Sequence, residues 1–347
     1  MDIVYAGDDK FAWIMGVSML SLMESNGSAE RIHFHILDGG IECTNKEKIV
    51  AMTGKYGRDC SFYPAKETVE RVMKGHKTPR SSLSMFSRLF IGQLLPKNLT
   101  KVLYLDCDTL VIDSLTELWS MVFEGNILVA VNDCCSNMHR SWVYLKKNQP
   151  YLQTGMMLID MESWRNFGVE EKVSEAIRRL HGVGPYGDQC LLSMVLSDRT
   201  KLVHPRYNCL ISRCVFTYSQ LLQWRRPSFF YSKEEVQESV AHPVVIHFAT
   251  FFHAPRPWIK TSPSEGFYKE WKAYLRISPW KDHPLWVDDR PWWFKVMVGV
   301  YHALPLKIAI PSAGLIHSFF MPAIGMWMNR LTKFIAILFS AHRCVGG

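Results

Sequence analysis

Two aspartates one residue apart, Asp106 and Asp108, close the stretch KVLYLDCD that begins at Lys101. Val102 to Leu105 reads as a buried strand, where carboxylates are costly unless something positive receives them. Residues two apart in an extended chain point to the same side, so both carboxylates can face one ion while Cys107 turns into the fold. Two carboxylate oxygens leave a six-coordinate divalent cation with open positions that suit the oxygens of a diphosphate. Such an ion would offset the charge building on a leaving group. Alone the spacing carries little, because roughly one D-x-D arises by chance in a chain this long. A pair of turn-forming aspartates ending a strand has the same pattern. Its weight comes from its position after a buried strand.

The elements that must position the pair alternate along the first half. Strands are expected at Ile3–Ala6, Ile32–Leu37, Cys60–Tyr63, Val102–Leu105, Ile127–Val131 and Met156–Ile159. Helices are expected at Phe11–Met23, at Thr44–Met52 with Thr44 as its cap, and at Ser81–Leu95, ended by Pro96. This order predicts an α/β fold with a mostly parallel sheet whose ligands bind beyond the C-terminal strand ends. Asp8 and Asp9 then share one rim with Asp106 and Asp108.

The bulk numbers fit one large globular domain or a domain with an appendage. The chain has 347 residues, 48% hydrophobic and 21% charged. Its nine cysteines include the neighbours Cys134 and Cys135 but no C-x-x-C pair, so neither a disulfide framework nor a zinc site is indicated. Reduced thiols in a cytosol are expected, and MDIVYAGDDK lacks the basic-then-apolar order of a signal peptide. The net charge of +8 is uneven. From Pro291 onward Lys295, Lys307, Arg330, Lys333 and Arg343 stand without a single Asp or Glu. A near-neutral body with a basic, aromatic tail points to an anionic surface at one end rather than to nucleic acid.

Taken in order, MDIVYAGDD, FHILDGG, SRL at Ser87, KVLYLDCD, TGMMLID at Thr154, YGDQ at Tyr186 and VIHFATFFHAPRPW at Val245 resemble glycosyltransferase family 8. The likeness is to bacterial lipooligosaccharide galactosyltransferases and lipopolysaccharide glucosyl- or galactosyltransferases, over roughly residues 1 to 260. It implies a GT-A type fold, with a single nucleotide-binding sheet flanked by helices. It also implies UDP-galactose or UDP-glucose as donor, manganese with magnesium as the alternative, and retention of anomeric configuration.

Residue by residue, the resemblance makes Asp106, Asp108 and His247 metal ligands, and an imidazole nitrogen favours manganese. On its own His247 reads as an ordinary half-buried histidine. Ala6, Asp8 and Lys10 match the nucleoside-binding start, although Asp8 or Asp9 could equally cap the following helix. Arg88 matches a donor-contacting arginine whose plainer reading is a solvated helix residue. Asp188 matches a residue on the donor hydroxyls, and Gln189 a glutamine beside the anomeric carbon; "GDQ" could also be a simple helix cap. Gln153 stands where many relatives have asparagine, Arg256 where a lysine usually grips the diphosphate, and Lys10 where asparagine is usual.

The expected organisation is a catalytic domain at 1–260 and a Pro/Trp-rich, then basic aromatic, region at 261–347. Pro305, Pro311 and Pro322 are expected to interrupt the tail, so it should lie on an anionic leaflet rather than span it. Packing on the protein's own core is the competing expectation. The sequence thus predicts a metal-dependent hexosyltransferase acting on a saccharide or glycolipid acceptor, peripheral on the inner face of a bacterial cytoplasmic membrane. A non-catalytic sugar-nucleotide or glycan-binding protein on the same fold is the alternative. A sugar nucleotidyltransferase would need a Gly-rich, Arg-containing loop, and AGDDKFAW is not one.

Overall fold

The computed structural model describes residues 1–75, 83–249 and 255–328. The chain builds strands β1 (Asp2–Gly7), β2 (His33–Asp38), β3 (Asp59–Pro64), β4 (Lys101–Leu105) and β5 (Thr109–Val111). They continue with β6 (Leu128–Asn132), β7 (Leu152–Asp160), β8 (Thr200–Leu202), β9 (Cys209–Leu210) and β10 (Val245–His247). Seven form one sheet in the order β3-β2-β1-β4-β7-β6-β8. β7 alone runs against its neighbours β4 and β6, and the other pairings in this sheet are parallel. Six expected strands are therefore present; β5, β8 and β9, of two or three residues, were too short to show a period.

Helix α1 (Asp9–Ser25) is buried continuously from Ala12 to Met23. A helix apolar all round needs cover on both sides. The sheet covers one side, and the Trp-rich segment after residue 257 covers another. A Cβ on Gly16 would lie 2.1 Å from the Trp280 ring, so only glycine lets that indole seat. Trp13 stacks on His283 at 4.2 Å and meets Trp271 and Trp286 edge-on, both at 5.8 Å.

Three local expectations are corrected. Helix α2 runs Cys43–Lys55 with Glu42 at its N-cap, so Thr44 lies inside the first turn rather than capping it. The stretch expected as one helix from Ser81 is a 3-10 segment at Leu83–Phe90 followed by one α turn at Ile91–Leu94, while residues 81–82 lie outside the described residues. The tail helix is not interrupted at Pro311 or Pro322. Leu306–Met328 is continuous over 23 residues, long and apolar enough to cross a membrane by length and composition, with a mean hydropathy of 1.4 in its best window. A π turn at Ile316–Phe320 precedes Pro322. That proline has no N–H for the Ser318 carbonyl, and Ser136 Oγ donates to it at 2.9 Å. Arg330, Lys333 and Arg343 lie outside the described residues.

Candidate active site

β4 delivers Asp106 at its end, where the amide of Asp106 bonds the Gly155 carbonyl of β7 at 2.9 Å. The chain turns through Cys107, whose thiol donates to the Ala6 carbonyl at 3.1 Å, so this side chain faces inward as expected. It then enters β5, which pairs antiparallel with β10 so that Thr109 faces His247. That register brings together residues far apart in sequence. The ligand atoms of Asp106, Asp108 and His247 all lie within 4.8 Å of one another. His247 Nε2 is 3.0 Å from Asp108 Oδ1 and 3.6 Å from Asp106 Oδ2.

His247 is fully buried, and its Nδ1 lies 3.0 Å from Asn208 Oδ1. An amide oxygen can only accept, so Nδ1 carries a proton and Nε2 is the nitrogen that faces the carboxylates, open to a metal once it has given up any proton of its own. Asn208 in turn donates to Gln153 Oε1 at 3.0 Å, and Gln153 Oε1 also accepts from the Gly155 amide at 2.7 Å. Burial opposes protonation of His247, but the charge and hydrogen bond of Asp108, with Asp106 behind them, raise its pKa above the usual range. Burial likewise works against an ionised Asp108, and His247, Arg256 and Arg88 outweigh it, holding that carboxyl well below the usual range.

Arg88 is not a solvated helix residue. It is 5% exposed and ion-pairs with Asp106 on one side and with Asp188 at 3.3 Å on the other. Its guanidinium lies over the Tyr104 ring and donates to the Thr154 carbonyl at 3.0 Å. Asp188 opens the helix Asp188–Leu196 and accepts from Thr154 Oγ1 at 3.0 Å; burial lifts its pKa against the pull of Arg88. Gln189 Nε2 donates to Asp133 Oδ2 at 2.8 Å, and Asp133 pairs with Arg225 at 3.1 Å. Arg256 reaches Asp108 Oδ2 at 3.4 Å. Asp8 caps α1, accepting from the Phe11 amide at 3.1 Å, while Asp9 holds the Glu42 amide and Asn45. Lys10 extends its ammonium over Trp286, 4.8 Å from the ring centre.

A family model described as glycosyl transferase family 8 matches residues 2–261. The chain belongs to that family. General stress protein A of Bacillus subtilis is 26% identical over 291 residues, 81% of this chain and 94% of that protein. Lipopolysaccharide 1,2-glucosyltransferase of Escherichia coli is 23% identical over 287 residues, 81% of this chain and 79% of that one. The crystal structure of galactosyltransferase LgtC in complex with donor and acceptor sugar analogs superposes with a TM-score of 0.69 at 24% identity, over 80% of this chain and 96% of that chain. The fold is therefore GT-A, and the protein is a glycosyltransferase.

For a family 8 glycosyltransferase, three residues of this site escaped sequence reading. Asn208 sits in a one-turn segment with no pattern of its own. Asp133 follows the buried strand β6, the same signal that marked Asp106, but as a single carboxylate. Tyr186 was seen only as part of YGDQ; its hydroxyl is 3.1 Å from His317 Nε2 of the tail helix. The matched block at Val245 is described only outside residues 250–254.

The arrangement fits a divalent ion. Two carboxylates and an imidazole whose Nε2 faces them can form an O, O, N donor set, a bound cation displacing any proton on Nε2, and Gly155 leaves room beside it, since a Cβ there would stand 2.8 Å from Asp106 Oδ2.

Proposed function

We propose that the protein is a metal-dependent retaining hexosyltransferase that moves galactose or glucose from the UDP-sugar to a saccharide on a lipid, such as a lipopolysaccharide core. The observation that carries this reading is the convergence of Asp106, Asp108 and His247 with the imidazole fixed by Asn208. These three would hold manganese, or magnesium, which when bound offsets the charge of the diphosphate and of the leaving UDP. Ala6 and Asp8 lie on the same rim for the nucleoside, and Lys10 belongs to that set through sequence alone. Arg256, already drawn to one carboxylate, can swing to the diphosphate and hold it with two parallel bonds. Asp188, kept in position by Arg88 and Thr154, accepts from donor hydroxyls, and Gln153 is held for the same sugar.

The reaction then needs no carboxylate nucleophile at Gln189. A neutral amide is a poor nucleophile. With Nε2 committed to Asp133, Gln189 has its carbonyl dipole left to steady positive charge at the anomeric carbon. The acceptor oxygen attacks from the face the UDP leaves, the bond to the diphosphate breaks, and the hydroxyl proton passes to the departing phosphate oxygen.

We assign this activity to residues 1–260, with 261–347 as the membrane-facing region, and the enzyme to the inner face of the cytoplasmic membrane. Support comes from the acid-free tail and from its exposed Trp292, Trp293 and Trp327. His317 and Ser318 bond the catalytic body, which favours lying on the leaflet over crossing it.

The test is slow UDP release from a panel of UDP-sugars with manganese. Release from UDP-galactose or UDP-glucose, abolished by chelation, is expected. Tight binding without turnover, even with saccharide acceptors present, would leave a binding protein on the same fold.

A further inference from the structure

The cavity that holds Gln189, Asp133 and Gln153 does not end at them. It is a continuous space of about 810 Å³, toward the upper end for ligand sites. Its polar side is the catalytic one, where Arg225 and Arg256 also line it. Past Tyr186 and Trp224 the lining changes character. The helix Trp292–Ala303 contributes Trp293, Met297 and Val300, and the tail helix contributes Ala313, Ile316 and Met321.

This apolar wall is fastened to the body. Ser318 Oγ donates to the Trp224 carbonyl at 2.9 Å, its carbonyl accepts from Ser136, and Gly314 abuts the Gln223 carbonyl so closely that a Cβ would lie 2.3 Å away. The outer side is open: Met297 and Val300 are each 55% exposed while lining the cavity.

A saccharide bears a hydroxyl on most ring carbons, and each would lose hydrogen bonds against such a wall. A hydrocarbon chain loses none. Because the two ends are one cavity, a molecule in the apolar end can continue into the catalytic end. The flanking helices carry Lys295 and Lys307 with no acid between residues 291 and 347, which suits the anionic surroundings of a lipid. We propose that the two C-terminal helices form the aglycone subsite of the acceptor, binding the alkyl chain of a glycolipid inside the cavity that presents its sugar to Gln189. This rests on the glycosyltransferase reading above and narrows its acceptor, from a lipid-linked saccharide in general, to an amphiphile whose chain is joined directly to the accepting sugar rather than through a core oligosaccharide.

The test uses alkyl β-galactosides from methyl to octyl, below their micellar concentrations and without vesicles. Binding to the full chain is measured by calorimetry with UDP and manganese present, and turnover is followed in parallel with the donor panel. Affinity should rise by at least about twofold, and up to about fourfold, per added methylene, so that over seven methylenes octyl binds at least about a hundredfold tighter than methyl. Met297→Asp should flatten the slope, read as the octyl-to-methyl ratio within that variant. Trp292→Asp, on the outer face, should keep it. Equal affinity for methyl and octyl galactosides overturns the inference, as does an unchanged slope in Met297→Asp. Turnover without chain-length dependence would overturn this subsite and leave the enzyme standing. Chain-length-dependent binding without turnover on any donor would keep the subsite and remove the enzyme.

Discussion

Gly155 and His247 pack so closely that a Cβ on the glycine would stand 2.2 Å from the imidazole Cε1 and 2.5 Å from Nδ1. The space a side chain would fill is taken by the His247 imidazole. Gly155→Ala should therefore push His247 off the carboxylates while leaving the sheet intact. A displacement near 1 Å is enough to lower activity by about 100-fold. Metal-dependent UDP release, with circular dichroism as the control for folding, checks this; near-normal release would show that the glycine is there for the backbone alone.

Asn208 fixes the tautomer of His247 and touches no substrate group in this reading. Asn208→Leu should weaken manganese binding roughly 10- to 100-fold without altering the ligands themselves. Manganese titration followed by paramagnetic resonance gives the constant directly. An unchanged constant would mean that the ring is oriented by packing.

Arg88 is a buried cation between two carboxylates, so removing it strands both charges. Arg88→Met should cost about 3–5 kcal/mol in urea unfolding. Manganese should restore part of that loss, because the ion would supply positive charge beside Asp106. A loss below about 1 kcal/mol, the range of exposed pairs, would contradict the burial argument.

What the sequence made legible follows from how local each signal is. The strand-ending pair Asp106 and Asp108 is one contiguous pattern, and alternation within it also foretold the inward Cys107. Arg88 read equally well as a solvated residue because its burial comes from Asp188, 100 positions away in the chain. Asn208 and Asp133 are single polar residues whose roles exist only once the ends of β6 and β7 in one sheet and of β10 in the other are brought together. Thr44 has good capping chemistry, yet Asp9 binds the Glu42 amide and Asn45, and the helix starts one residue earlier. Prolines in the tail were expected to break a helix; Ser136 and the π turn absorb the one at 322 instead.

His139 gives a pH signature for the docking of the tail helix. Burial, then Arg225, depress its pKa to about 3, with Asp133 pulling weakly the other way and Tyr186 and His317 packed against its ring. The unfolded chain takes up this proton near the ordinary value of 6.5 and the folded chain does not. The contribution of His139 is therefore complete above that value and falls as pH drops from 6.5 toward 3, by at most ~1.4 kcal/mol per pH unit, and His317, depressed in the same direction by its burial, adds to the fall. Denaturant midpoints at pH 7.5 and 5.5 measure it. His139→Gln should reduce the dependence, and an identical slope in that variant would assign the effect elsewhere.

Membrane contact rests on exposed aromatics. Trp292 is 77% exposed and Trp327 64%. Replacing both by aspartate should lower flotation with anionic vesicles several-fold and spare UDP release. Flotation equal to that of the unaltered protein would return the tail to a purely structural role.

The most direct measurement is manganese binding by the unaltered protein and by Asp108→Asn, each with and without UDP. One high-affinity site, tightened by UDP and lost in the variant, is the expected result. Equal binding by both proteins, or none by either with UDP present, would contradict the claim that Asp106, Asp108 and His247 grip the ion that carries the donor.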